Sequence, residues 1–147
     1  MRDEFSIEID GLEEACEMLT TAPRQAVPGA LLHGFAAAGQ VIEEYIAGRT
    51  PDKTGEMLAD LGYTVTLDAD MRGGEVAVGF GDQGYKANWV EYGHRMIGHA
   101  PAKKDEGMVE AHPFMRPAAE AAAEPALDAW EDAVMGDLQQ AEILDAA

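Results

Sequence analysis

The segment RQAVPGALLHGFAAAGQVIEEYIA, from Arg24 to Ala47, decides the fold. Within it Val27, Ala30, Leu31, Gly34, Phe35, Ala38, Val41, Ile42, Tyr45 and Ile46 step by three or four without a break, the spacing of one helical face. The spacing predicts one helix over 24–47, about 36 Å long at ~1.5 Å per residue. Pro28 falls in its first turn, where a missing N–H costs little. Gly48 ends it, and Thr50-Pro51 prevents continuation. Gly34 and Gly39 each cost about 1 kcal/mol against alanine. Gly34 lies on the apolar stripe, which points to close approach of another element. His33 lies beside the stripe and is expected to be partly buried.

Upstream, Phe5, Ile7 and Ile9 alternate with Ser6 and Glu8 as a short strand. Asp10-Gly11 turns the chain, and Leu12, Ala15, Cys16 and Leu19 recur as a short amphipathic helix, with Cys16 a buried small hydrophobe. Downstream, Pro51-Asp52-Lys53-Thr54-Gly55 is a turn cluster. Tyr63, Val65 and Leu67, then Val76, Val78 and Phe80, read as two antiparallel strands joined by a polar loop over 68–74. Residues 87–93 fit a helical turn or a strand equally. The segment His94–Glu110, with Gly98, Pro101 and Gly107, reads as a long loop, mobile in an isolated subunit and ordered on contact with a neighbour. Residues 111–118 read as extended, because a residue before proline avoids the helical region. Pro117 starts a last helix with the stripe Ala123, Leu127, Trp130, Val134 and Leu138. Pro125 should kink or restart it, and the chain should fray from about Gln139. The expected fold is α+β: a small antiparallel or mixed sheet packed on one long helix, with a C-terminal helix. Residues 1–138 form a single domain and 139–147 a frayed acidic tail.

Composition narrows the function. The 147 residues hold 10 Lys+Arg against 28 Asp+Glu, a net charge of −18. That excludes affinity built on phosphate neutralisation and docking on anionic lipid. Residues 117–147 hold eight acids and no base. The acidity fits solubility, adaptation to high salt, or a surface that repels a passing polyanion. The lone Cys16 forms no internal disulfide and suits a reducing compartment. No apolar run approaches the ~20 residues of a membrane span, and the acidic N-terminus is unlike a signal peptide.

Catalytic signatures are missing from the sequence. His33, His94, His99, His112 and Glu91 invite a metal reading, but His94 and His99 are five apart and no HExxH or CxxC spacing occurs. Ser6 is the only serine, and there is no Gly-x-Ser-x-Gly, Walker A or Gly-x-Gly-x-x-Gly motif. The expectation is no catalytic residue, no metal ligand and no cofactor. Trp89, Tyr92 and Phe114 differ in kind: such aromatics either occupy interface centres or cover one end of a core.

Three separated motifs resemble one family. Pro51-Asp52-Lys53-Thr54-Gly55-Glu56-Met57 is similar to its Pro-x-x-Thr-Gly-x-Leu turn. Trp89-Val90-Glu91-Tyr92-Gly93 is similar to its aromatic-Val-Glu-aromatic-Gly motif. Ala111-His112-Pro113-Phe114-Met115-Arg116-Pro117-Ala118 is similar to its Ala-x-Pro-Phe-Leu-Arg-Pro-Ala motif. The family is the neck or tail-completion protein of long-tailed bacteriophages, often described as a minor tail component. The likeness covers about residues 3–136, in order. Met57 replaces leucine, His94 stands where Thr or Ser is usual, and the loop to Ala111 is longer than in many members.

The resemblance implies a non-enzymatic virion protein, assembled in the host cytoplasm, that forms a homo-oligomeric, hexameric ring. The ring joins the head-side connector to the tail-terminator or tail-tube proteins. Its bore passes genomic DNA without sequence-specific binding, and the base-free stretch from Ala118 is one candidate lining. The implied interface residues are Trp89, Glu91, Tyr92, Gly93, Phe114 and Arg116. Glu91, set among aromatics, needs a basic or backbone N–H partner, with Arg116 preferred over Arg95. The other readings are a small metal-dependent enzyme using the His94–His112 loop and a monomeric binding module.

Overall fold

A computed structural model describes residues 19–20, 22, 24–98, 101 and 104–146, with the backbone alone for 143–145. The strand expected over 5–9 and the helix expected from Leu12, with Cys16, lie outside these residues. The apolar stripe forms helix α1, Val27–Ala47, with Pro28 in the first turn. Two short elements follow: α2, Glu56–Ala59, and an antiparallel hairpin of β1, Leu61–Leu67, and β2, Gly74–Phe80. Next come α3, Gly84–Tyr92, and a second antiparallel hairpin of β3, His94–Ile97, and β4, Asp105–Val109. Helix α4, Met115–Asp145, closes the chain. The fold is α+β, with a long helix, two separate two-stranded sheets and a C-terminal helix.

α1 and α4 run antiparallel. Leu31, near the start of α1, packs with Val134 and Leu138 near the end of α4. Ile46, at the end of α1, packs with Phe114 and Ala118 at the start of α4. The buried ridge of α4 is a strict four-residue row: Ala118, Ala122, Ala126, half-buried Trp130, Val134 and Leu138. Three alanines let the helices approach closely. Gly34 completes the fit, since a Cβ there would lie 2.5 Å from a Val134 methyl and 3.0 Å from the Trp130 ring. Gly39 does the same for the sheet, where a Cβ would lie 2.8 Å from the Tyr63 ring and 2.9 Å from Val76. The cost of two glycines in a helix interior is thus offset by layers that an alanine would hold apart.

Several expectations are corrected. Within the segment expected as a loop, His94–Ile97 and Asp105–Val109 instead pair as the β3–β4 hairpin, with a register shift between Met96 and Ile97. Residues 87–93 are helical up to Tyr92. α4 starts at Met115 rather than Pro117 and is continuous through Pro125. The carbonyl that loses its N–H partner there belongs to exposed Ala121, where water can replace the bond. The helix also continues past Gln139 to Asp145. Ala123 and Leu127 lie at the margin of the buried ridge rather than on it. His33 is exposed, and its Nδ1 lies 3.0 Å from Asp137 Oδ2, tying α1 to α4 at the surface.

Candidate functional site

The three sequence motifs meet around α3. The first is a carboxylate-centred turn. Asp52 accepts backbone N–H bonds from Thr54 at 3.1 Å, Gly55 at 3.0 Å and Leu58 at 2.9 Å. These bonds, the one from Leu58 foremost, hold its carboxyl below the ordinary aspartate range. The turn launches α2 and seats Met57 in the core beside Ile46, Ala87 and Phe114. α2 then fixes the start of α3. Asp60 Oδ2 accepts the Gln83 N–H at 2.6 Å, and Lys86 Nζ lies 2.9 Å from Glu56 Oε2.

α3 is built inside out. Its inward positions are Ala87 and Glu91, one helical turn apart, and both are buried. Its outward positions are Tyr85, Trp89 and Tyr92, exposed by 49%, 48% and 54%. Tyr85 and Trp89 meet edge to face at 5.1 Å, and the His94 ring stacks on Trp89 at 5.0 Å. Half-exposed rings ordered against one another form a surface rather than a core.

Glu91 holds that surface to the rest of the molecule. Its Oε2 accepts the N–H groups of Phe114 at 2.7 Å and Met115 at 2.9 Å, and its Oε1 that of Arg116 at 3.1 Å. These are among the first N–H groups of α4, which have no partner inside the helix. Phe114, at the capping position, has no side-chain acceptor, so a carboxylate from another helix caps α4 instead. Of the two kinds of partner expected for Glu91, backbone N–H is the one seen. Arg95 pairs with Asp105 across the β3–β4 hairpin, which also holds the Asp105 carboxyl below its usual range. The His112 N–H donates to Val90 O at 2.7 Å and closes the junction.

Gly93 links α3 to β3 with φ 74° and ψ 169°, a conformation essentially confined to glycine. A Cβ there would also lie 2.5 Å from Val109 O. Phe114 is 4% exposed and packs on Phe80 with ring centroids 6.1 Å apart. The sequence candidates therefore divide. Trp89 and Tyr92 form a face, Glu91, Gly93 and Phe114 are the buried support that aims it, and Arg116 contributes its backbone N–H. Tyr85 extends the face through its contact with Trp89, and Met96, Ile97 and Met108 of the neighbouring hairpin are also exposed. The sequence reading missed them. Tyr85 at i−4 from Trp89 was the legible signal.

Among the described residues, no three His, Cys, Asp or Glu side chains are grouped to hold a metal ion. His99 of the histidine segment lies outside those residues. Among the described residues, no helix is long and apolar enough to cross a membrane. No family model, curated protein or solved structure matches the chain.

Proposed function

We propose that the chain is a structural subunit of a tailed-phage neck, a tail-completion protein that forms a ring between the head connector and the tail tube. The observation that carries the reading is the convergence of its three motifs on one mechanical unit. The Asp52 turn, the α3 helix and the α4 start interlock, and their only conspicuous output is an exposed aromatic face. Chemistry needs convergent polar groups in a cleft, whereas joining needs a rigid, apolar contact surface. This reading gives the protein no catalytic role, a place in the virion after assembly in the host cytoplasm, and a bore that DNA passes without being held.

The test is a mass measurement on the full chain, alone and mixed with neighbouring neck proteins. The expected species is an integral ring, six times the 15.7 kDa subunit mass, present alone or formed on the connector. A chain that stays monomeric in both conditions would overturn the ring and favour a monomeric binding module.

A further inference from the structure

The β3–β4 hairpin has few ties to the rest of the molecule. Its strands pack chiefly on each other, and an isolated two-stranded hairpin is marginal in water. The chain enters it through Gly93, whose φ of 74° and ψ of 169° turn α3 into β3. Past its end, the His112 N–H donates to Val90 O at 2.7 Å. Among the described residues, the ring contact that fastens it is the stack of His94 on Trp89 of α3, with centroids 5.0 Å apart and planes 26° from parallel. His94 Nδ1 is buried there and has no hydrogen-bond partner among the described residues.

No charged side chain of the flanking elements is placed to meet that imidazole. Partners directly across a ladder share a face, so His94 and Met96 lie with Val109 and Gly107. Arg95 alternates to the other face, where it pairs with Asp105. On α3, Lys86 pairs with Glu56, and Glu91 is turned inward to the first N–H groups of α4. Lys104 and Glu106 toward the hairpin tip, Glu110 and His112 beyond β4, and the Arg116 side chain are exposed. A neutral imidazole with its hydrogen on Nε2 fits this setting. Protonation adds an N–H at the buried Nδ1, where no acceptor waits. A buried charged donor without an acceptor costs more than a half-exposed cation–π contact returns, so the imidazolium is relieved by leaving the stack.

We infer that His94 is an acid-sensitive latch: its neutral ring, stacked on Trp89, holds the β3–β4 hairpin to α3, and protonation releases the hairpin to swing about Gly93. Opening also uncovers the face of the Trp89 indole on which the imidazole lies. Mild acid therefore loosens the hairpin and remodels the aromatic surface in one step. Histidine is the side chain suited to this, since it changes charge between about pH 5 and 8. Asp105 is held below the ordinary aspartate range by Arg95, so the other charged pair of the hairpin stays ionised across that window. The device belongs to the single subunit, so its test stands apart from the ring reading.

The experiment is amide hydrogen exchange on the full chain, dilute enough to be monomeric, at pH 7.5 and 5.5. Rates are corrected for the intrinsic effect of pH, and the amides of α1 serve as the internal reference. In the wild type, protection over 94–97 and 105–109 should fall at least threefold relative to α1 on going to pH 5.5. His94→Phe keeps a ring on Trp89 but cannot ionise, and its hairpin protection should be the same at both pH values. His94→Ala should show the low protection at both. In a Trp130→Phe background, Trp89 emission should change over the same pH range as the hairpin amides. Wild-type hairpin protection that follows α1 across pH would overturn the latch. So would an equal acid-side fall in His94→Phe, which would assign the effect to another group, or full protection in His94→Ala at pH 7.5, which would show that the stack holds nothing.

Discussion

Glu91 shows how a single acid can organise three elements. It is 6% exposed, the one buried acid among the described residues, and its carboxylate accepts three backbone N–H groups at the start of α4. The sequence marked it as an acid that must have a partner, because an unpaired buried carboxylate is prohibitive. The partner itself was hidden, since a backbone amide looks the same in every sequence. Glu91→Ala strands those donors and should destabilise the fold by about 3 kcal/mol, lowering Tm by roughly 10 °C in a chain of this size. Glu91→Gln keeps one acceptor and should recover part of the loss; thermal unfolding of both variants checks this. Asp52 supplies the acid-side counterpart. Its carboxyl is held below the ordinary aspartate value in the folded chain by the backbone N–H groups it accepts. The stability it contributes is therefore present above that value and lost as pH falls through the lower, folded one. In Asp52→Asn part of the acid-side loss of stability below about pH 4 should disappear, read from unfolding midpoints across pH.

At the scale of elements, legibility followed the orientation of apolar residues. α1 was plain because its stripe faces the core, and Gly34 on that stripe foretold the close approach of what proves to be α4. α3 was not, because it inverts the usual pattern. Its aromatics face out, and a small residue and an acid face in, so neither period identifies it. The β3–β4 hairpin was hidden for another reason: its strands are short, contain Asp105, Glu106 and Gly107, and alternate on neither face. The outward aromatics argue for contact. Trp89→Ala should leave monomer unfolding nearly unchanged but weaken assembly by ~2–4 kcal/mol. Equal losses in both, measured by thermal unfolding and sedimentation, would make Trp89 a plain packing residue. The hairpin is ordered but weakly supported. Its amides over 94–97 and 105–109 should exchange far faster than those of α1 in a dilute monomer, and become protected on assembly. Protection equal to that of α1 in the monomer would contradict this.

The described residues form a frame of two antiparallel helices that carries two hairpins and a short aromatic helix. The frame was readable because hydrophobic periodicity survives in sequence. Which surfaces meet a partner was only partly readable, because exposure depends on how elements pack. The charge of −18 acts at this scale too, favouring solubility and mutual repulsion between copies. The three motifs, the aromatic face and the charge pattern all serve the proposal that this chain joins two symmetric assemblies. Electron microscopy of lysates from a phage lacking the gene tests that claim most directly. The account predicts DNA-filled heads and separate or unstable tails, with few joined particles. Normal, infectious, fully joined virions would contradict it.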